Sequence, residues 1–173
     1  VRDEYRDKQF PDGETFMHHA VTVAFTDALW GADAVTIAIS LLHKVEKNKI
    51  EPLLSSIPGI DRETILEISK IIRDLQTIYL PYLDNGVELL GTETTLQNIM
   101  KFIIKLSKGD HRVLLHIIAD QIQSVSAASK HEKKIKAREI FHISAPLAGM
   151  LIHKIYNEIR DRAFELSSPE QYK

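Results

Sequence analysis

The fold class is inferred first from the stretch Val113–Asp120, which has the sequence VLLHIIAD. It is a nearly unbroken apolar run that ends in a carboxylate. At the α-helical period Val113, Ile117 and Asp120 share one face, so the Asp120 side chain is expected to point into the interior. The run falls short of the roughly 20 apolar residues of a membrane span, which predicts a buried helix instead. A buried carboxylate is costly unless it is paired, protonated or bound to a metal ion.

On both sides of this stretch, apolar residues recur three and four positions apart, whereas strict alternation is almost absent. A first helix follows the stripe Phe16, His19, Val23 and Trp30, and Gly31 can end it in the left-handed conformation. The sequence therefore predicts an all-α fold. A chain of 173 residues is long enough for one domain with a sizeable core, since it hides about 70% of its unfolded surface.

Helix starts are predicted where a side chain can cap the free amides of a first turn, at Asp33, Asp61, Thr92 and Asp110. The helix after Asp33 is expected to continue through Val45, and the helix after Asp61 to run to about Ile78. Residues 81–91 are predicted to form a loop. Pro146 is expected near the start of a long C-terminal helix.

Composition excludes several classes of protein. The net charge of −2 provides no basic surface for nucleic acid, so no nucleic-acid partner is expected. The chain has no cysteine, which rules out disulfides, thiolate metal sites and a cysteine nucleophile, and suits a reducing cytoplasm. No apolar run is long enough for a membrane span, and no membrane association is predicted.

Three polar residues stand on predicted apolar helix faces and are candidates for chemistry: His19, His43 and Asp120. Two histidines and an aspartate from three helices suit a hard-to-borderline divalent metal. His18 lies about 100° around the helix from His19, so the two cannot share one site. The alternative is that each histidine is a core residue bonded to a carbonyl.

Four stretches of the sequence carry recognisable motifs: Gly13–Ala20 (GETFMHHA), Ala34–Val45 (AVTIAISLLHKV), Val113–Asp120 and the tail Arg138–Tyr172, which contains SAPLA, EIRDRAFEL and PEQY. They resemble, in order, a GEPYxxHP opening, a His-Asp helix, a Leu-Ala-Asp helix and an APLA…LAFRYLxPxxY tail. These are the motifs of the hydrolase domain of the RelA/SpoT family of bacterial alarmone enzymes. The resemblance covers nearly the whole chain, although residues 46–108 align only loosely. It implies the helical HD-domain fold of metal-dependent phosphohydrolases.

In that family the hydrolase removes pyrophosphate from the 3′ position of guanosine tetra- and pentaphosphate, using manganese. The resemblance places the four metal ligands on His19, His43, Lys44 and Asp120, so one ligand has become a cation. A unit charge about 4 Å from a dication costs about 8 kcal/mol at an effective dielectric near 20. Manganese is therefore predicted to be lost, leaving a vestigial shell and no cofactor. Lys44 is expected to take the place of the metal and pair with Asp120; alternatively it extends to solvent and Asp120 bonds a histidine or a backbone amide.

Further departures fall on the positions that the resemblance assigns to catalysis and substrate. The family's acidic pair, which acts on the attacking water, falls on Lys47 and Asn48, and neither can serve as a carboxylate base. Positions expected to contact guanine fall on Phe10, Gln121 and Ser124. The sequence therefore predicts that no catalytic residue remains.

These observations favour one function and leave two others open. Residues 1–173 are interpreted as a single degenerate HD hydrolase-like domain, a fragment of a longer cytoplasmic RelA/SpoT-type protein. It would act as the structural and regulatory domain of a guanosine tetraphosphate synthetase domain of the same chain in the stringent response, so that the parent is a GTP pyrophosphokinase. The first alternative is a stand-alone module that binds a guanine nucleotide. The second is a weak metal-dependent 3′-pyrophosphohydrolase using His19, His43 and Asp120.

Overall fold

The computed structural model describes residues 1–10, 13–83, 93–126, 130–151, 153–167 and 170–172. These residues form helices and no β-strand, apart from an isolated antiparallel bridge between Gln9 and Thr15. The predicted all-α fold is confirmed. Within these ranges no helix is long and apolar enough to cross a membrane.

Nine α-helices and one π-helical segment are found in the described ranges. In chain order they are α1 (Phe16–Leu29), α2 (Ala34–Leu42), α3 (Lys47–Ser55), α4 (Arg62–Leu83), α5 (Glu93–Ser107), α6 (His111–Ser126), α7 (Lys130–Glu139), the π-helical segment (Ile140–Ser144), α8 (Ala145–Leu151) and α9 (His153–Ser167).

The first helix ends and the second helix begins where the sequence predicts. The Thr15 hydroxyl accepts a hydrogen bond from the His18 amide at 3.1 Å, and the Asp33 carboxylate accepts from the Thr36 amide at 2.8 Å. Gly31, two residues after α1, has φ +82°, a conformation that glycine adopts without the strain of a Cβ atom. The caps therefore fix where α1 and α2 meet.

The second helix is shorter than predicted. It ends at Leu42, and the Val45 amide donates to the Leu42 carbonyl at 2.8 Å in a tight turn. The Gln76 side-chain amide of α4 donates to the carbonyls of His43 at 2.8 Å and Val45 at 2.7 Å. These tertiary bonds satisfy carbonyls that a longer helix would use itself, so His43 and Lys44 lie on the turn before α3.

One further helix runs beyond its predicted end, and the C-terminal helices contain a π-helical segment that was not predicted. Helix α4 continues to Leu83, into the start of the predicted loop; the rest of that loop and the predicted cap Thr92 lie outside the described residues. After the π-helical segment, Pro146 is the second residue of α8, in agreement with its predicted place near the start of the C-terminal helical stretch; residue 152, between α8 and α9, lies outside the described residues. Proline has no amide hydrogen, and the Ala145 amide just before it bonds to the Ile140 carbonyl five residues back, so the helix widens where Pro146 enters.

Helix α6 occupies the centre of the fold and packs against α1, α2, α5, α7, α8 and the π-helical segment. Its Ile117 and Ile118 side chains are completely buried, and Asp120 is 3% exposed. The inward direction predicted for Asp120 is thereby confirmed. The central helix delivers a carboxylate to the place where α1 and α2 cross it.

Candidate metal centre

The three polar residues singled out in the sequence meet in the interior. His19 lies on α1, His43 just after α2 and Asp120 on α6. One nitrogen or oxygen of each lies within 4.8 Å of the others, and all three residues are buried. Packing of three helices therefore produces a compact set of two imidazoles and one carboxylate.

His19 is held between two carboxylates. Its Nε2 lies 2.6 Å from Asp120 Oδ1 and its Nδ1 lies 3.4 Å from Glu14 Oε2. The other Glu14 oxygen is 2.9 Å from His18 Nδ1, so Glu14 bridges the two neighbouring histidines from outside. His18 is exposed, as expected from its position around the helix.

His43 presents an unprotonated nitrogen to the same carboxylate. Its Nδ1 lies 2.7 Å from the Ser40 carbonyl, which only accepts, so Nδ1 carries the proton. Its Nε2 faces Asp120 Oδ1 at 3.4 Å and has no hydrogen-bond partner in the described part of the chain. The lone pairs of His43 Nε2 and Asp120 Oδ1 therefore face each other in the interior, and a cation bound by both atoms would remove their repulsion.

The electrostatics favour the protonation states in which these groups bind metals. Burial opposes ionisation of Asp120, but the charge of Lys44 and the contacts with His43 and His19 outweigh it and hold the Asp120 pKa well below its usual range. Burial, with the Lys44 and His19 charges, lowers the pKa of His43 although Asp120 acts in the opposite direction. A carboxylate and a neutral imidazole result, which are the ligand forms.

These residues fit a borderline divalent ion with three donors, and Lys44 is the feature that opposes it. The Lys44 ammonium lies 5.8 Å from the centre of the Phe10 ring, and it is the group whose charge lowers the Asp120 pKa most. The direct hydrogen bond of Asp120 runs to His19. Loss of the metal, and direct pairing of Lys44 with Asp120, stay predictions.

A cavity of about 500 Å³ opens beside this cluster. The predicted site residues that it brings together are Phe10, His43, Lys44, Lys47 and Asn48. Two lysines therefore line the wall where the resemblance expects carboxylates. Lys44 and Lys47 outnumber the one carboxylate, Glu46, in the described lining, and this charge balance favours anions.

Gln121 and Ser124, two of the positions expected at the substrate, are used elsewhere. The Gln121 side chain is buried and its Oε1 accepts a hydrogen bond from the Ser144 hydroxyl of the π-helical segment. The Ser124 hydroxyl donates to the Gln121 carbonyl at 2.8 Å, and the Ser124 carbonyl accepts from Lys136 at 3.3 Å. Both residues tie α6 to the C-terminal helices and are absent from the described lining of the cavity.

Sequence reasoning missed two buried polar residues next to the site. His116 interrupts the apolar run of α6 and lines the cavity, and Asp27 is fully buried on α1. The signals were available: Asp27 continues the His19–Val23 stripe at the helical period, and His116 stands inside the stretch VLLHIIAD. Neither residue is one that the resemblance assigns to chemistry.

Comparison with known proteins gives a family and its relatives. Residues 1–151 match the family described as "HD domain". The GTP pyrophosphokinase rsh of Brucella melitensis is 26% identical over 98% of this chain and 22% of its own length. The guanosine-3′,5′-bis(diphosphate) 3′-pyrophosphohydrolase of Aquifex aeolicus is 27% identical over 99% of this chain and 23% of its own length. The bifunctional (p)ppGpp synthase/hydrolase SpoT of Escherichia coli is 25% identical over 100% of this chain and 24% of its own length. The chain thus spans less than a quarter of each of these relatives.

Proposed function

The chain belongs to the HD-domain family, and on that basis we propose that it is a hydrolase-like domain without catalytic activity, serving as a structural and regulatory domain of a longer cytoplasmic alarmone synthetase. The observation that carries the proposal is the charge of the cavity. Lys44 and Lys47 line it at positions where the resemblance calls for a metal ligand and a water-activating acid.

In the described lining of the cavity, no carboxylate is suited to take over the lost base. Glu46 is the one carboxylate in the described lining of the cavity. Its Oε1 accepts hydrogen bonds from Lys49 at 3.3 Å and Lys8 at 3.4 Å, and these lysines lower its pKa. A carboxylate bound by two ammonium groups is a weak proton acceptor, which supports the absence of general-base catalysis.

The names of the relatives support the rest of the proposal. These names are a GTP pyrophosphokinase, a guanosine-3′,5′-bis(diphosphate) 3′-pyrophosphohydrolase and a bifunctional (p)ppGpp synthase/hydrolase. A synthetase domain in the same parent chain is accordingly the proposed partner, and the stringent response the proposed setting. An inactive hydrolase-like domain would act there by contact with its neighbour.

The first prediction is that the purified chain releases no pyrophosphate from guanosine tetraphosphate in the presence of manganese. The physical reason is the missing base together with the Lys44 charge beside the metal donors. Release is measured by quantifying inorganic pyrophosphate, with the Aquifex aeolicus relative as the positive control. Manganese-dependent release clearly above a buffer control would refute the proposal.

The regulatory part needs a separate experiment on the whole parent protein. Its rate of guanosine tetraphosphate synthesis is compared with that of a form lacking residues 1–173. A changed rate is expected, because a domain retained for regulation shifts the active population of its neighbour. Equal rates from two equally folded proteins would contradict the regulatory role.

One observation favours a residual metal-dependent phosphohydrolase as the second candidate. His43 Nε2 has no hydrogen-bond partner in the described residues and faces Asp120 at 3.4 Å. Together with His19 these residues would hold the ion, which when bound would lower the pKa of a water molecule. Equilibrium dialysis against manganese followed by metal analysis separates the candidates, since only this one expects about one ion per chain.

The cavity itself favours a third candidate, a guanine-nucleotide-binding module. Phe10 and Phe16 provide aromatic faces for a base, while Lys44 and Lys47 provide charge for phosphates. Calorimetric titration of guanine nucleotide without a divalent metal tests this function. Heat that saturates in wild type and is lost in Lys44→Met would support it.

A further inference from the structure

A buried chain of hydrogen bonds joins α1, α2 and α6 behind the cavity. It runs from Asp27 through Ser40 to His116, residues that are 0%, 0% and 2% exposed. The Ser40 hydroxyl donates to Asp27 Oδ2 and lies 2.8 Å from His116 Nδ1. Residues 27, 40 and 116 are far apart in the sequence and meet only through helix packing.

The number of protons decides the direction of each bond. A serine hydroxyl has one hydrogen, and when Asp27 is ionised this hydrogen points to the Asp27 carboxylate. The contact between Ser40 and His116 then requires a hydrogen on His116 Nδ1. His116 is 2% exposed and forms no ion pair with the described residues, and burial lowers its pKa to about 3, so the ring is neutral and Nε2 holds a lone pair.

The same serine orients the neighbouring histidine. The Ser40 backbone carbonyl accepts from His43 Nδ1 at 2.7 Å, and the two imidazole rings are 4.8 Å apart between centres. Both rings line the cavity. Ser40 thus directs two adjacent histidines through two different oxygen atoms, and both rings are left with an unprotonated Nε2.

We propose that Asp27 and Ser40 are positioning residues that hold His116 as its Nδ1-protonated tautomer, so that His116 Nε2 is a hydrogen-bond acceptor at the inner wall of the cavity. The cavity then selects a ligand that presents an N–H or O–H group at its inner end. The inference does not depend on whether the domain hydrolyses a substrate, because it concerns the wall of the cavity alone.

Core stability alone does not explain this arrangement. Asp27 Oδ1 has no hydrogen-bond partner in the described part of the chain, and a buried acceptor left without a partner costs free energy. Ser40 and His116 could form their hydrogen bond without Asp27, with the shared hydrogen on either the Ser40 hydroxyl or His116 Nδ1. Asp27 turns the Ser40 hydrogen away from His116, so that the hydrogen of the Ser40–His116 bond lies on His116 Nδ1.

The test is the tautomer of His116, read from the ¹⁵N chemical shifts of its ring in the labelled, full chain at pH 8.5. Wild type should show a protonated Nδ1 and an unprotonated Nε2. In Ser40→Ala the acceptor of the Nδ1 proton is gone, and the proton should move to Nε2. His43 should keep its Nδ1 proton in both proteins, because its acceptor is a backbone carbonyl.

Ser69→Ala is the matched control, since Ser69 is 1% exposed and its hydroxyl has no hydrogen-bond partner in the described residues. It removes a buried hydroxyl without touching the chain of bonds, and should leave His116 unchanged. An Nε2-protonated His116 in wild type overturns the proposal even if Ser40→Ala does not fold. So does a folded Ser40→Ala in which His116 keeps its Nδ1 proton.

Selection of a ligand that carries a hydrogen-bond donor is tested with phenol, which has an O–H group, and anisole, in which a methyl group replaces that hydrogen. Phenol should bind wild type about threefold to tenfold more tightly, the worth of one neutral hydrogen bond, with shifts at the His116 ring. The preference should vanish in Ser40→Ala and persist in Ser69→Ala. Equal affinities in wild type, or no binding of either probe, would overturn the selection of a donor-bearing ligand.

Discussion

At the scale of single residues, the site differs from a metal-binding hydrolase site mainly in its charges. Three donors, His19, His43 and Asp120, are still brought together in the interior. Lys44 stands next to His43 in the turn, where the resemblance expects a fourth donor that is negatively charged. The consequences of this one exchange can be separated into a lost ligand and an added charge.

We expect Lys44→Met to bind manganese more tightly than wild type, and Lys44→Asp more tightly still. The first variant removes the charge, an effect of roughly tenfold or more for a cation close to the site, and the second also adds a metal ligand. Affinities are measured by calorimetric titration with manganese chloride. If Lys44→Met and wild type bind equally weakly while Lys44→Asp binds, the missing ligand and not the charge limits binding.

Turnover should stay low in both variants, because Lys47 and Asn48 provide no base. Pyrophosphate release by Lys44→Asp is compared with release by the Aquifex aeolicus relative. Comparable rates would show that the roles assigned to Lys47 and Asn48 are wrong.

Asp27 provides a prediction on stability and pH. Burial, aided by the Asp120 charge and opposed by the Ser40 bond, raises the pKa of Asp27 to about 7 from its usual 3.8. An acid whose pKa is raised in the folded state destabilises that state as pH rises from about 4 to 7. Asp27→Asn should therefore gain unfolding free energy relative to wild type across this window, on the order of 4 kcal/mol at most.

The measurement is urea unfolding of both proteins at pH 4.5, 6 and 8, followed by circular dichroism. The difference between the two curves isolates residue 27 from the other titrating groups. A difference that does not change with pH would mean that Asp27 has the same pKa in the folded and unfolded chains.

At the scale of helices, the capped first turns position the residues of the candidate metal site. Asp33 accepts from the Thr36 amide at 2.8 Å and from the Thr36 hydroxyl at 2.7 Å, and thereby sets where α2 begins. Nine residues further on, α2 ends at Leu42, one residue before a histidine of the site. The start of α3 has no side-chain cap, so that turn depends on Gln76 instead.

Asp33→Ala should lower the unfolding free energy by about 1 kcal/mol, since two bonds to the first turn of α2 are lost. Asp33→Asn keeps an acceptor and should be nearly neutral. Denaturant midpoints of the three proteins at one pH test this. Equal losses in both variants would show that charge, rather than the hydrogen bond, stabilises the helix start.

At the scale of the whole molecule, α6 holds the two halves of the chain together. It packs against N-terminal helices α1 and α2 and against C-terminal elements α7, α8 and the π-helical segment. Its apolar side chains and Asp120 lie on the same helix. We therefore expect folding of the core and assembly of the site to be one cooperative event.

Shortening a buried side chain at the centre of α6 should destabilise the entire chain. Ile118 is 0% exposed, and Ile118→Ala is expected to cost 2–5 kcal/mol in transfer and cavity free energy, roughly. Leu29→Ala is the matched control, because Leu29 is 70% exposed and its loss should cost little. Urea unfolding with two probes, circular dichroism and tryptophan fluorescence, should give coincident transitions; a separate transition would contradict a single cooperative core.

Local patterns determine much of this protein. The helical period fixed the all-α class, the inward direction of Asp120 and the stripe that contains His19. Capping residues fixed the starts of α2 and α4, where Asp61 accepts from the Thr64 amide at 2.9 Å. These features depend on neighbours within one or two turns, which is the range over which a sequence pattern acts.

Tertiary structure decided the rest, because the partners are far apart in the chain. Gln76 ended α2 early by bonding the carbonyls of His43 and Val45, and Gln121 faces Ser144 rather than the cavity. The chain of bonds from Asp27 to His116 exists only where three helices cross. A hydrogen bond reaches about 3 Å, so its partner is chosen by the packing of helices and not by the spacing of residues.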